Sequence, residues 1–164
     1  MLFRSPVLRV WIDGKPGLQT EFRYTKAQPR TMTTCTLPIE PLEIGKCSGD
    51  AAVTHEDGTF VDLGNQAKPG ELVYLWAIGI YRFQPPTYGS ALALNFRPLN
   101  QVPIAVGPRQ PHPTKIGVYL VPVRIPEEMP EETASCRPGV LNFRITIGTP
   151  ETGDSSAYLC VEKP

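Results

Sequence analysis

The sequence has little of what most catalytic and nucleic-acid-binding chains are built from. Only two of its 164 residues are histidine, and no window carries a sustained 3.6-residue apolar period, so helical architectures are not expected. Lys plus Arg and Asp plus Glu number 16 each, and the formal net charge is zero. A neutral chain has no overall field to draw in a phosphate backbone or an anionic lipid surface, so nucleic acid is excluded as the expected partner. No run of 18 apolar residues is present; the longest strongly apolar stretch, Leu72 to Ile80, suits a buried strand and not a membrane span. A Gly-x-Ser-x-Gly elbow is missing, and the six serines have no motif context that pairs them with a histidine. Phosphate-cradling glycine loops are missing too. The expectation is a chain that is not an enzyme and that needs no cofactor.

What the sequence does have is 19 prolines and 14 glycines, a density that breaks long helices and punctuates short strands. Val7 to Ile12 and Leu18 to Tyr24 flank Asp13-Gly14-Lys15-Pro16-Gly17, which predicts a hairpin. Ala51 to His55 and Thr59 to Val61 flank Glu56-Asp57-Gly58 and predict a second. Leu72 to Ile78 is apolar on both pleat faces, as for a central strand covered on both sides. Ile116 to Ile125 reads similarly, except that Pro122 lacks an N–H and marks an edge or a bulge. Leu141 to Ile147 alternates strictly, with Leu141, Phe143, Ile145 and Ile147 on one face and Asn142, Arg144 and Thr146 on a half-exposed other face. After a turn over Gly148 to Ser155, Ala157 to Val161 returns antiparallel.

The four cysteines fall into sequence-local pairs, Cys35 with Cys47 and Cys136 with Cys160, and these are the favoured pairing among three possible connectivities. Neither pair has the spacing of a zinc knuckle, so no metal site is expected. An even count in a turn-rich chain reads as disulfides and places the protein in an oxidising, extracytoplasmic compartment: periplasm, cell surface or medium. The start of the chain, Met1 to Pro6, lacks the charged segment and apolar core of a signal peptide. The chain is therefore expected to be a piece of a longer exported protein. Val7 to Tyr24 matches in layout the closing hairpin formed by Val140 to Ile145 and Ala157 to Val161, so residues 1–24 are expected either to pack on the rest of the chain or to be the remnant of an upstream sandwich unit.

Several segments, taken in order, carry a resemblance. They are Ser48 to Thr59 around an Asp-Gly turn, Asn65 to Gly79 with a Pro-Gly-Glu opening to a long apolar strand, Lys115 to Tyr119 with Val123 to Pro126, and Ile145 to Gly148. Over roughly residues 48–161 the chain resembles the C-terminal domain family of secreted acidobacterial (Solibacter-type) proteins, for which no activity is assigned. The resemblance implies tandem immunoglobulin-like units at the C-terminus of a larger exported protein. The chain departs from the family pattern after Gly79, where the segment Ile80 to Tyr88 replaces a bland Pro/Asn/Thr loop.

The expected architecture is an all-β, immunoglobulin-like β-sandwich over residues 67–164, preceded by an N-terminal β-hairpin (1–24) and a disulfide-pinned connector (25–66). The best binding candidates are Tyr81, Arg82, Phe83 and Tyr88, because aromatics and arginine dominate interface hot spots and loops carry recognition. The competing reading folds this loop back to cap the sandwich, burying Phe83 and stacking Tyr88 on a proline. Trp11 and Trp76 read as core residues. His55-Glu56-Asp57 could form an imidazole–carboxylate trio, but it reads better as a polar turn. Glu127, Glu128, Glu131 and Glu132 lack the alternate spacing of a calcium loop and read as a solvated loop. The expected function is a non-catalytic extracytoplasmic module for protein interaction or cell-surface architecture, its partner a protein or the remainder of the exported chain. The alternatives are a carbohydrate-binding module, with Tyr81, Phe83 and Tyr88 as a stacking platform, or an accessory periplasmic subunit of a membrane-bound assembly.

Overall fold

The computed structural model of the chain describes residues 7–12, 15–21, 29–33, 51–80, 85–149 and 153–163. Among them there is no helix, and so none long and apolar enough to cross a membrane. The described residues form eleven strands in chain order: β1 (Val7–Ile12), β2 (Lys15–Glu21), β3 (Arg30–Thr31), β4 (Val53–Thr54), β5 (Leu72–Ile78), β6 (Thr87–Leu92), β7 (Pro98–Pro103), β8 (Gln110–Pro111), β9 (Val118–Arg124), β10 (Phe143–Thr149) and β11 (Gly153–Leu159). The fold is an all-β sandwich of two antiparallel sheets, one ordered β11-β10-β6-β7 and the other β3-β5-β9-β8, with β4 also paired to β5. β1 and β2 form a separate antiparallel hairpin.

Alternation decides which side chains meet between the sheets. Val73, Leu75 and Ala77 of β5, Val121 and Val123 of β9, Ala91 of β6, Phe143, Ile145 and Ile147 of β10, and Ala157 and Leu159 of β11 all point inward into one core. Gly89 of β6 lies on that inner face. A Cβ there would lie 2.5 Å from Phe143 Cζ, so the missing side chain lets the Phe143 ring lie flat on the strand. The both-sided apolarity of β5 is explained by a second, smaller cluster on the outside of its sheet. There Trp76 packs with Met32, Ala52 and Val118 and against Phe60 and Leu120.

Both lateral seams are tied by backbone. On one side Ala51 N donates to Tyr158 O, and Ala67 pairs with Val161, so residues entering the five-stranded sheet cover the edge of β11. On the other, Ile104 N donates to Thr87 O while Ile104 O accepts from Arg124 N, so the chain leaving β7 crosses from one sheet to the other. Pro122 sits where a bulge is expected. Ala105 pairs with Val123 and Gln110 with Leu120, five steps on one strand against three on the other, and the missing N–H of Pro122 faces that interruption.

Three expectations shift in detail. The first hairpin turns sooner, with Lys15 already in β2, and β11 begins at Gly153, earlier than Ala157. Asn142 is fully buried: its Nδ2 donates to Val161 O at 2.7 Å and its Oδ1 accepts from Val161 N at 2.8 Å, closing the end of β10. β6, β7 and β8 form from a stretch in which the sequence showed no strand.

Cys136 and Cys160 form a disulfide, with Cα atoms 5.7 Å apart. It ties the loop before β10 to the residue after β11, enclosing a 24-residue separation. Cys35 and Cys47 lie outside the described residues, as does the side chain of Trp11.

Candidate functional site

Of the four residues expected to bind, Tyr81, Arg82 and Phe83 lie outside the described residues. Tyr88 is in strand β6, half-buried, directly opposite Thr146 of β10 and Pro103 of β7. This register sets up the outer face of the four-stranded sheet. Phe143, Ile145 and Ile147 point inward, so Arg144 and Thr146 point out. One cross-strand row runs Tyr88, Thr146, Ser156; the next runs Ser90, Arg144, Tyr158. Neighbours in a row have Cβ atoms about 5 Å apart, and diagonal pairs such as Tyr88 and Arg144 about 7 Å. Arg144 therefore stands between two tyrosines.

The face is polar and incompletely satisfied. Tyr158 is 40% exposed and Arg144 half-buried. Thr146 Oγ1 and Ser156 Oγ hydrogen-bond to each other at 3.0 Å. Ser90 Oγ and Arg144 Nε are both buried without a hydrogen-bond partner among the described residues, although the two residues are direct cross-strand partners. A buried polar atom left unpaired costs roughly 1–3 kcal/mol, and two on adjacent strands mark this row as the least satisfied part of the sheet.

The outer face of the other sheet is the reverse. Trp76 is only 8% exposed; its ring lies 5.7 Å from that of Phe60 and 4.5 Å from that of His112, and its Nε1 donates to Thr54 Oγ1 at 3.3 Å. Burial, and then the nearby Lys115 charge, hold the pKa of His112 below 6.5, which suits a neutral ring against an indole. This cluster is structural cover, as the sequence implied for Trp76.

His55 finds a carboxylate, though neither of its sequence neighbours. Its Nδ1 lies 2.6 Å from Glu71 Oε1 and its Nε2 3.3 Å from Asn65 O. Thr54 pairs with Tyr74, and this antiparallel register brings the residue after β4 beside the residue before β5. Both contacts are acceptors, so both ring nitrogens donate and the imidazolium is the form that fits. Burial opposes the charge, but the Glu71 hydrogen bond, the Asn65 carbonyl, and the charges of Glu71 and Asp57 outweigh it, and the pKa is raised above 6.5. Glu71 Oε2 also accepts from Lys68 N at 2.7 Å. The pair pins the β4 turn to the start of β5.

Two clefts remain. One of about 260 Å³ opens at the mouth of the sandwich between β7 and the 126–130 loop, lined by Asn100, Val102, Glu128, Met129 and Phe143. The other, of about 460 Å³, lies beside the disulfide near Lys68 and Lys163, but Lys163 Nζ already donates to the carbonyls of Glu131 and Thr133. Glu127, Glu128, Glu131 and Glu132 are exposed. Among the described residues no three His, Cys, Asp or Glu side chains gather in an arrangement that could hold a metal ion.

No family model, curated protein or solved structure matches the chain. The residues themselves carry the functional argument. Sequence reasoning singled out Tyr88 as an aromatic in a loop and missed Arg144 and Tyr158 as its companions. The alternation of β10 did place Arg144 outward, but only the register across β6, β10 and β11 joins the three.

Proposed function

We propose that this chain is a non-catalytic, extracytoplasmic β-sandwich recognition module that binds its target on the outer face of the four-stranded sheet. The observation that carries the reading is the Tyr88–Arg144–Tyr158 face, where two amphipathic rings flank a guanidinium whose Nε has no acceptor among the described residues. Tyr and Arg supply large contact area together with directional donors, and they are enriched where binding energy concentrates. The Cys136–Cys160 disulfide supports an oxidising compartment. The resemblance of residues 48–161 to the Solibacter-type family supports immunoglobulin-like units at the end of an exported protein. The test is a survey of the whole chain on glycan and peptide arrays, with ester, peptide and glycoside substrates assayed in parallel. Binding that disappears in Tyr158→Ala, without turnover, is expected; turnover, or no binding sensitive to this face, overturns the reading.

A second reading, protein association through the first hairpin, rests on its edges. β2 carries Pro16 and a bulge opposite β1, whereas β1 has no proline. Unblunted edges pair with other strands. Sedimentation of the full chain should then show association that Val10→Pro abolishes, and a strictly monomeric profile at high concentration rules the reading out.

A further inference from the structure

The recognition face carries a chemical signature more specific than "binding surface". Its groups are one guanidinium, two phenols and three aliphatic hydroxyls (Ser90, Thr146, Ser156), with no apolar side chain larger than a methyl group between the rings.

We infer that the outer face of the four-stranded sheet binds a uronic-acid-bearing saccharide, with Arg144 meeting the carboxylate and Tyr88 and Tyr158 lying against sugar rings. The inference rests on the reading of this face as the recognition surface and names its ligand class. Four observations lead to it.

First, Arg144 is a cation whose Nε has no acceptor among the described residues, and a planar guanidinium is shaped to take a carboxylate through two parallel hydrogen bonds. Second, Ser90, its direct cross-strand partner, is 2% exposed and its hydroxyl has no partner among the described residues, so the row holds unused hydrogen-bonding capacity of both donor and acceptor kind. A ligand that draws the guanidinium into a hydrogen-bonded pair relieves part of that deficit. Third, the remaining groups are hydroxyls: Thr146, 8% exposed, is bonded at 3.0 Å to the exposed Ser156, whose hydroxyl keeps further bonding capacity toward solvent. A saccharide, itself a field of hydroxyls, is satisfied by such groups. A peptide laid across the face is not, because its backbone amides need a ladder edge. The neighbouring edge strand β7 begins and ends with Pro98 and Pro103 and is broken by a bulge at Asn100. Fourth, Tyr158 stands directly opposite Arg144 and Tyr88 diagonally from it, spacings of about 5 Å and about 7 Å between Cβ atoms by strand geometry, so a charged residue of a chain held by Arg144 has a ring on either side.

The test uses the full chain with its disulfide intact. Titration calorimetry with oligogalacturonate and oligomannuronate is compared with fully methyl-esterified oligogalacturonate, in which the charge is removed and the rings are kept. A dextran and dextran-sulfate pair separates carboxylate from sulfate recognition. The expected result is binding of at least one oligouronate, weakened tenfold or more by methyl esterification, by Arg144→Gln and by Tyr158→Ala, and weakened by added NaCl. Melting curves establish that each variant is folded; Tyr158 is exposed enough for Tyr158→Ala to decide the matter should Arg144→Gln fail to fold. Equal binding of charged and esterified oligomers, preference for dextran sulfate, or binding unchanged in the variants overturns the inference. Should a neutral glycan or a peptide bind in a manner sensitive to Tyr158→Ala, the inference falls and the recognition reading stands. Should no ligand bind this face, both fall.

Discussion

The two outer faces of the sandwich are made from the same kind of strand and finished in opposite ways. On the five-stranded sheet, Trp76 is enclosed by Phe60 and His112, its Nε1 satisfied by Thr54, and its neighbours Met32, Ala52 and Val118 are buried with it. On the four-stranded sheet, Tyr158 is 40% exposed and the Ser90–Arg144 row keeps two polar atoms without a partner among the described residues. Stability is invested in the first face. The second buries Ser90 and Thr146 but leaves Tyr158 exposed beside directional groups that the fold does not use, and such groups next to an exposed ring are what recognition requires.

The largest expected effect lies on the covered face. Replacing Trp76 with alanine removes a buried aromatic and should cost about 3–5 kcal/mol in urea unfolding; a loss below about 1 kcal/mol would show that this face is not structural cover. Next comes the brace at the edge of the open sheet. Substituting serine for Cys136 and Cys160 frees a loop of 24 residues' separation and should cost about 3 kcal/mol in the chain-entropy account, lowering the melting temperature by roughly 6–12 °C. An unchanged melt contradicts the bracing role.

A smaller effect should follow pH. His55 has a raised pKa in the folded protein, so its contribution is complete below its ordinary value of 6.5 and is lost as pH rises through the folded value. Comparing the protein with Glu71→Gln isolates this term. The stability difference should shrink as pH rises above 6.5, and a difference independent of pH would mean that the pair is not charge-assisted. His112 acts in the opposite sense: burial and Lys115 depress its pKa, so its contribution is present above 6.5 and is lost as pH falls below that value. The smallest effect is on the open face, where Ser90→Ala removes an unsatisfied hydroxyl and should leave stability unchanged or raise it by up to about 1 kcal/mol. A clear destabilisation would mean that Ser90 has a partner after all.

How much of this was legible in the sequence follows from how each strand is covered. β5, apolar on both pleat faces, announced two covered sides, and the structure supplies both a core side and the Trp76 side. β10 announced one polar side by its alternation, but that side is less open than the pattern implied: Asn142 and Thr146 are buried and Arg144 is half-buried. Asn142 was misread because alternation counts polarity and cannot distinguish a solvated amide from one that closes a strand end on Val161. β6 was invisible because its inner positions are Thr87, Gly89 and Ala91, small so that Phe143 can pack against the backbone; a strand that yields volume to its neighbour has little hydrophobic signal of its own. β7 hid behind the prolines at its ends. Tyr88 therefore passed as a loop residue, and the union of Tyr88, Arg144 and Tyr158 needed a register that no local pattern encodes. His55 shows the same limit, since its carboxylate partner lies 16 residues away across β4 and β5.

Hydroxyl-radical footprinting of Tyr and Trp side chains, with and without saturating oligouronate, tests both halves of the comparison at once. The account predicts that Tyr158 is modified readily and Trp76 poorly in the free protein, and that ligand protects Tyr158 while leaving Trp76 unchanged. Equal reactivity of Trp76 and Tyr158, or a ligand that protects neither tyrosine of the open face, would contradict it.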